Sequence, residues 1–146
     1  MIIRKGKISD LKSVLNIERR VYNKPYWNEL MLIRLFNRDS NEIIWITEIK
    51  QKIVGFLIEQ RCNNEINLLN LAIDQSYQNR GIGKKLVYYF LRIIPNNSSV
   101  FLEVKKSNFI ARKIYSNLNF RNIDIRKSYY NDGGDALIMK YKKKSK

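Results

Sequence analysis

The chain has 146 residues, enough to bury one hydrophobic core, and its 28 Lys and Arg against 13 Asp and Glu give a net charge of +15. Hydrophobic residues make up 45% and aromatic residues 12% of the sequence, which argues against a disordered chain. His is absent and Cys62 is the only cysteine, so the composition excludes an internal disulfide framework, a Cys/His zinc cluster, a Ser-His-Asp triad and a Cys-His pair.

Apolar periodicity and turn residues predict a mixed α/β chain. In chain order we expect a strand at 2–4, a helix capped by Ser9 or Asp10 and running to about 21, a helix at 28–36, strands at 43–49, 53–59 and 66–73, a helix at 81–94, a strand at 100–104, a helix at 108–118, and strands at 123–127 and 136–141. An antiparallel meander thus leads into right-handed β-α-β units around one central sheet of about seven strands, with about four helices. Residues 1–146 are expected to form one domain with a solvated basic tail at 142–146.

Gly81 and Gly83 lie at the start of the predicted helix 81–94, directly after an apolar strand. Free N–H groups and the helix dipole at such a position suit a pyrophosphate, and Arg80 and Lys84 add positive charge. Leu86 occupies the place of the third glycine of a dinucleotide fingerprint, and the triphosphatase loop is also absent. From the glycines alone, a plain tight turn without a ligand remains the alternative.

The same segment, Gln78-Asn79-Arg80-Gly81-Ile82-Gly83, resembles the Q/R-x-x-G-x-G/A motif of the GNAT acetyltransferase superfamily. The resemblance implies a GNAT fold and acetyl-coenzyme A as co-substrate, with no metal. It implies that a loop wraps the pyrophosphate, made of Gln78, Asn79, Arg80, Gly81, Ile82, Gly83 and Lys84. It further implies that the backbone of Leu71, Ala72 and Ile73 pairs with the pantetheine arm.

Segments in the second half of the chain extend this resemblance. Residues 102–108 resemble the family's L-E-V-x-x-S-N, and residues 111–120 resemble A-x-x-L-Y-x-x-L-G-F, with Asn119 in the place of the glycine. Asn tolerates the left-handed conformation that we expect there. Residues 126–139 and 25–28 resemble R-x-x-Y-Y…D-A-x-x-M and P-W-S, which are typical of the GNAT group that acetylates the N-terminal alanine of bacterial ribosomal protein S18.

The resemblance assigns the chemistry to two residues. Glu103 is the candidate general base that accepts the amine proton, and the alternative is a strand-end carboxylate paired with a Lys or Arg. Tyr115 is the candidate general acid for the departing thiolate, although periodicity alone favours a core aromatic. Asn108 is expected to cap its helix, and the resemblance adds a contact with coenzyme A. Cys62 has no catalytic partner, which favours direct transfer in a ternary complex.

The acceptor is less defined by the sequence. Trp27, Tyr129 and Tyr130 are candidates for the walls of its site, with packing at the edge of a sheet as the alternative. The resemblance implies the N-terminus of ribosomal protein S18 as partner; a lysine side chain or a small amine is the nearest alternative. An acidic patch that attracts the acceptor could include Glu18, Glu29 and Asp39.

The charge and the compartment complete the sequence-based expectations. The +15 charge indicates either attraction to polyanions or compositional drift, since the Lys and Arg residues are dispersed. A non-catalytic RNA-binding module is therefore the alternative from another functional class, although no RNP-type signature or KH loop occurs. No apolar run is long enough to span a bilayer and no secretory signal is evident, so we expect a cytoplasmic protein.

Overall fold

The computed structural model describes residues 1–22, 25–37 and 40–145. In these ranges, seven strands form one sheet with the order β1-β2-β3-β4-β5-β7-β6. The elements are β1 (Ile2–Lys5), α1 (Leu11–Val21), α2 (Glu29–Phe36), β2 (Glu42–Ile49), β3 (Lys52–Cys62), β4 (Glu65–Ile73), α3 (Ile82–Ile93), β5 (Ser99–Lys105), α4 (Phe109–Asn117), β6 (Arg121–Arg126) and β7 (Ala136–Lys142). The predicted element order and the mixed α/β sheet with four helices are confirmed.

The differences from the predicted elements lie at their ends. Strand β3 continues to Cys62, beyond the expected end at residue 59. The Asp10 side chain does not cap α1; its Oδ2 accepts a hydrogen bond from the amide of Lys7 at 2.8 Å. Arg4 donates to both oxygens of Asp10 and to Glu48 on β2. Asp10 therefore fixes the chain entering α1 to strands β1 and β2 rather than closing the helix itself.

The sheet separates two apolar clusters. Helices α3 and α4 cover one face, where the buried side chains include Leu86, Phe90, Leu102, Tyr115 and Met139. Helices α1 and α2 cover the opposite face, where they include Val14, Ile17, Leu32, Phe56 and Ala72. This arrangement matches the amphipathic patterns of the four helices and places the sheet between the two helical layers.

A bulge in β4 determines where the sheet opens. Glu59 on β3 pairs with Leu68 and Ile58 pairs with Asn70, so Leu69 is an extra residue that reverses the faces of the side chains after it. Strands β4 and β5 are paired in parallel only from Glu65 to Asn67, opposite residues 99–101. Beyond that point the two strands part. We call the space between them the β4–β5 gap.

In the described ranges, no helix is long and apolar enough to cross a membrane.

Candidate active site

The edge of β4 that borders the β4–β5 gap carries backbone groups that pair with no other strand of the described residues. The amide of Asp74 donates to the carbonyl of Val54 at 2.8 Å, which fixes the alternation of the β3–β4 ladder. By this alternation, Leu71 and Ile73 direct their N–H and C=O groups away from β3 and into the gap. These groups can pair with an extended chain that enters the gap as an additional strand.

Two side chains form hydrogen bonds with the backbone carbonyls at this edge. The Tyr22 hydroxyl lies 2.8 Å from the carbonyl of Leu71, and Gln78 Nε2 donates to the carbonyl of Ile73 at 2.9 Å. Their positions agree with the orientation deduced from the ladder. Gln78, predicted to lie in the ligand loop, thus connects that loop to the end of β4.

The first turn of α3 presents unpaired amides next to the gap. Gly81 has φ +79°, the left-handed conformation that favours glycine, and a Cβ at this position would meet nothing within 4 Å. Across the described part of the chain, no acceptor bonds the amides of Gly81, Ile82, Gly83 or Lys84. Gly83 is buried against Ile114, Ile73 and Leu71, so its missing side chain lets α3 approach β4 and α4 closely. The turn therefore has the donors and the dipole that an anion requires.

The basic residues of this turn are exposed. The Arg80 guanidinium lies 5.0 Å from the centre of the Tyr77 ring, and Lys52 lies over the same ring at 5.4 Å. Lys84 and Asn79 are also exposed, and Asn79 has φ +64°. Positive charge thus surrounds the unpaired amides.

Glu103 lies on β5, on the face opposite to the buried Val100, Leu102 and Val104. Its side chain is 38% exposed. The free-energy cost of removing its charge from water is therefore small, although the neighbouring residues in the strand are apolar. Arg126 on β6 approaches it, with 3.3 Å between Nη1 and Oε1. The carboxylate therefore has both solvent access and an ion-pair partner, the arrangement considered as the alternative to catalysis.

Tyr115 lies on α4. Its ring is buried in the α3–α4 cluster, edge-on to Phe120 at 5.4 Å, as periodicity indicated. Within the described residues its hydroxyl has no hydrogen-bond partner, and the hydroxyl oxygen is not fully enclosed. Burial raises its pKa above the usual value. Tyr115 also raises the pKa of Tyr22, so the two hydroxyls lie within electrostatic range at the edge of β4.

Three tyrosines lie together near Glu103. Tyr129 and Tyr130 in the β6–β7 loop pack edge to face at 5.2 Å. Burial, and to a smaller extent the proximity of Tyr26, Glu103 and Tyr129, raises the pKa of Tyr130 to about 12. Tyr26, which the sequence analysis did not single out, is exposed, whereas Trp27 is buried beneath α1 and α2. Tyr26 rather than Trp27 thus faces the loop that carries Tyr129 and Tyr130.

A buried polar group beneath these tyrosines was also missed. Glu18 is fully buried and Asn70 is 5% exposed, and Asn70 Nδ2 donates to Glu18 Oε1 at 2.8 Å. The sequence contained a signal, since Glu18 follows Leu11, Val14 and Leu15 at helical spacing in an otherwise apolar stripe. Burial removes Glu18 from the expected acidic patch, Glu29 is exposed, and Asp39 lies outside the described residues.

Two asparagines have the local roles predicted for them. Asn108 Oδ1 accepts a hydrogen bond from the amide of Ala111 at 3.2 Å and so caps α4. Asn119 has φ +71°, the left-handed conformation expected after that helix. Cys62 is exposed at the end of β3. Over residues 1–22, 25–37 and 40–145, no group of three or more Cys, Asp or Glu is placed to bind a metal ion.

Two groups of functional residues lie on opposite faces of the sheet beside the β4–β5 gap. On the side of α3 are the unpaired amides and positive charge, where an anionic ligand can bind. On the other side are Glu103 and the tyrosines, where a carboxylate can accept a proton and a phenol can donate one. Leu71 and Ile73, whose gap-facing backbone groups pair with no strand of the described residues, border the gap.

Known proteins share this architecture. A sequence model described as the acetyltransferase (GNAT) family matches residues 11–120. An uncharacterized N-acetyltransferase of Methanocaldococcus jannaschii is 33% identical over 148 residues, which cover 98% of this chain and 92% of that protein. The ribosomal protein bS18-alanine N-acetyltransferase of Escherichia coli K12 is 32% identical over 138 residues, which cover 90% of both chains. The crystal structure of the ribosomal-protein-S18-alanine N-acetyltransferase from Escherichia coli has a TM-score of 0.86 and 29% identity, over 99% of this chain and 95% of that one.

Proposed function

The chain belongs to the GNAT family of N-acetyltransferases, and on that premise we propose that it transfers the acetyl group of acetyl-coenzyme A to the α-amino group of a protein N-terminus. The observation that carries the proposal is the β4–β5 gap: β4 leads from it into the unpaired amides of α3, and the other strand that borders it, β5, carries Glu103. We propose the N-terminal alanine of ribosomal protein S18 as the acceptor and the cytoplasm as the compartment. The similarity to bacterial bS18-alanine N-acetyltransferases over most of the chain supports this choice of acceptor.

In this proposal the donor binds along β4. The amides from Gly81 to Lys84 hold the pyrophosphate, and Arg80 and Lys84 add positive charge. The groups of Leu71 and Ile73 that face the gap pair with the amides of the pantetheine arm, which lies beside them as an additional strand. Asn108, at the start of α4, is the further contact with coenzyme A.

The acceptor amine approaches from the side of Tyr26, Tyr129 and Tyr130. An α-amino group has a pKa of about 7.7–8, so a modest base is enough to make it nucleophilic. Glu103 accepts the amine proton as the nitrogen attacks the thioester carbonyl. The carbon–sulfur bond then breaks, and Tyr115 donates its proton to the departing thiolate. Glu103 releases its proton to solvent and the phenol takes one up, so both residues return to their starting states, and the acetyl group passes directly from sulfur to nitrogen.

Acetylation of defined peptides tests the acceptor. The protein is incubated with acetyl-coenzyme A, a peptide with the S18 N-terminus, the same peptide with a blocked α-amine, and polyamines. Mass spectrometry is expected to show acetyl transfer to the free peptide only. Transfer to the blocked peptide through a lysine, or to a polyamine, would replace the proposed acceptor by a side-chain or small amine. Salt-sensitive RNA binding without turnover of any amine would instead favour the binding module.

Substitution at Gly81 tests the donor site. In Gly81→Val, a β-branched residue must adopt φ +79°, which costs about 1–3 kcal/mol. We expect the backbone to shift and move the amides. The Kd for acetyl-coenzyme A is therefore expected to rise about tenfold or more. Calorimetry measures this change. Gly133→Val is the matched control, because Gly133 has φ +82° and equally open surroundings but lies in the β6–β7 loop. Equal affinities of the two variants would exclude α3 as the pyrophosphate site.

A further inference from the structure

Glu18 is a fully buried carboxylate whose three partners all donate hydrogen bonds. Its Oε2 accepts from the amides of Tyr26 at 2.6 Å and Trp27 at 3.0 Å. Its Oε1 accepts from Asn70 Nδ2 at 2.8 Å. In the described residues, no Lys or Arg forms an ion pair with it. A carboxylate so enclosed requires every one of its hydrogen bonds, because none is replaced by water.

The network continues from Glu18 to the edge of the β4–β5 gap. Since Asn70 directs its amide nitrogen to Glu18, its Oδ1 faces the Tyr22 hydroxyl at 2.9 Å. That hydroxyl also lies 2.8 Å from the carbonyl of Leu71, which borders the gap. Because the hydroxyl carries one proton and both neighbours are acceptors, it donates to Asn70 Oδ1 or to the Leu71 carbonyl at any one time. Glu18, Asn70 and Tyr22 therefore form a polar network that extends from the loop between α1 and α2 to the strand that lines the gap.

The loop end of this network lies at the acceptor opening. Tyr26 packs edge to face on Tyr22 at 5.0 Å and lies close enough to Tyr130 to affect its pKa. Tyr130 is in turn close to Glu103. Glu18 thus holds the backbone of the residue that forms one wall of the opening opposite the β6–β7 loop.

We propose that Glu18 is a positioning residue for the acceptor: it fixes the backbone of Tyr26 and Trp27 relative to β4, so that the amine meets Glu103 and the thioester in the correct geometry. This inference rests on the proposed function. It assigns to Glu18 a large effect on the acceptor and little on the donor, because the network contacts none of the amides of the pyrophosphate turn and reaches the donor strand only at the carbonyl of Leu71. A role limited to stability would affect neither substrate selectively.

Substitutions at Glu18 separate these roles. In Glu18→Met the amides of Tyr26 and Trp27 lose their acceptor, and the acceptor KM is expected to rise about tenfold while the Kd for acetyl-coenzyme A stays within about twofold. In Glu18→Gln the amide oxygen can accept from both amides. The new amide nitrogen at position 18 needs an acceptor, which Asn70 supplies if its own amide flips and turns Oδ1 toward position 18. Tyr22 then accepts from Asn70 Nδ2 and still donates to the carbonyl of Leu71. We therefore expect an acceptor KM close to that of the wild type.

Glu59→Met is the matched control for the loss of a buried carboxylate. Glu59 is also fully buried and accepts from Trp45 Nε1 at 2.7 Å, but it lies on β3 away from the network. The Glu59→Met substitution is expected to lower the thermal midpoint of unfolding without changing the acceptor KM. If Glu18→Met does not fold, Asn70→Ala cuts the network at β4 and is expected to raise the acceptor KM about fivefold.

The outcomes distinguish this inference from the proposed function. A wild-type protein that acetylates no N-terminal peptide contradicts the proposed function. A wild-type protein that does so, with an unchanged acceptor KM in Glu18→Met or Asn70→Ala, overturns the role of Glu18. An increase confined to the acceptor KM, absent in Glu59→Met and reversed in Glu18→Gln, supports it.

Discussion

Glu103→Gln is expected to lower kcat/KM for a peptide acceptor by about 10²–10⁴-fold at neutral pH, with little change in the affinity for acetyl-coenzyme A. The amide has nearly the shape of the carboxylate but cannot accept the amine proton. The deficit is expected to shrink above about pH 8, because an increasing fraction of the α-amino groups is then already neutral. Initial rates at saturating donor between about pH 6 and about pH 9 measure this change.

Arg126→Gln distinguishes catalysis from the ion pair. This substitution removes the partner that lies 3.3 Å from Glu103 but leaves the carboxylate in place, so most of the activity is expected to remain. Glu65→Gln, at an exposed carboxylate near the start of β4, controls for the loss of negative charge. If Glu103→Gln and Arg126→Gln behave alike, the ion pair is the whole contribution of Glu103 and the general base lies elsewhere.

Local sequence signals determined most of the fold. Each helix has an apolar stripe wide enough to predict it, and the strands alternate or form apolar runs between turn residues. The conformations of Asn108 and Asn119 were predictable because capping and left-handed turns depend on neighbours within a few residues. The ends of β3 and β6 were not predictable, since a strand ends where its partner ends, and pairing is a long-range property.

The least predictable features of the site arise from pairing between distant segments. The bulge at Leu69 appears only when β3 and β4 are in register, and it decides that Asn70 faces α1 and Leu71 borders the gap. Trp27 is buried and Tyr26 is exposed, although the backbone amides of both donate to Glu18. In sequence these are adjacent aromatic residues, and nothing local indicates which of the two points inward.

Tyr115→Phe is expected to lower kcat by about 10²-fold or more while the Kd for acetyl-coenzyme A and the acceptor KM change little. The substitution removes only the hydroxyl, which has no hydrogen-bond partner in the described residues, so the free energy of unfolding is expected to stay nearly constant. Because burial raises the pKa of Tyr115, the phenol stays protonated through the pH range of the assay. No loss of rate from its ionisation is therefore expected up to about pH 10 in the wild type.

Tyr141→Phe provides the matched control for Tyr115→Phe. Both tyrosines pack against Phe120, at 5.4 Å and 5.5 Å between ring centres, but Tyr141 lies on β7 away from the gap. Removing its hydroxyl tests whether any such change in this cluster disturbs the active site. A large loss of kcat in Tyr115→Phe alone is the signature of a proton donor at the sulfur. Equal rates in both variants and the wild type would make Tyr115 a core aromatic and leave the thiolate to be protonated by solvent.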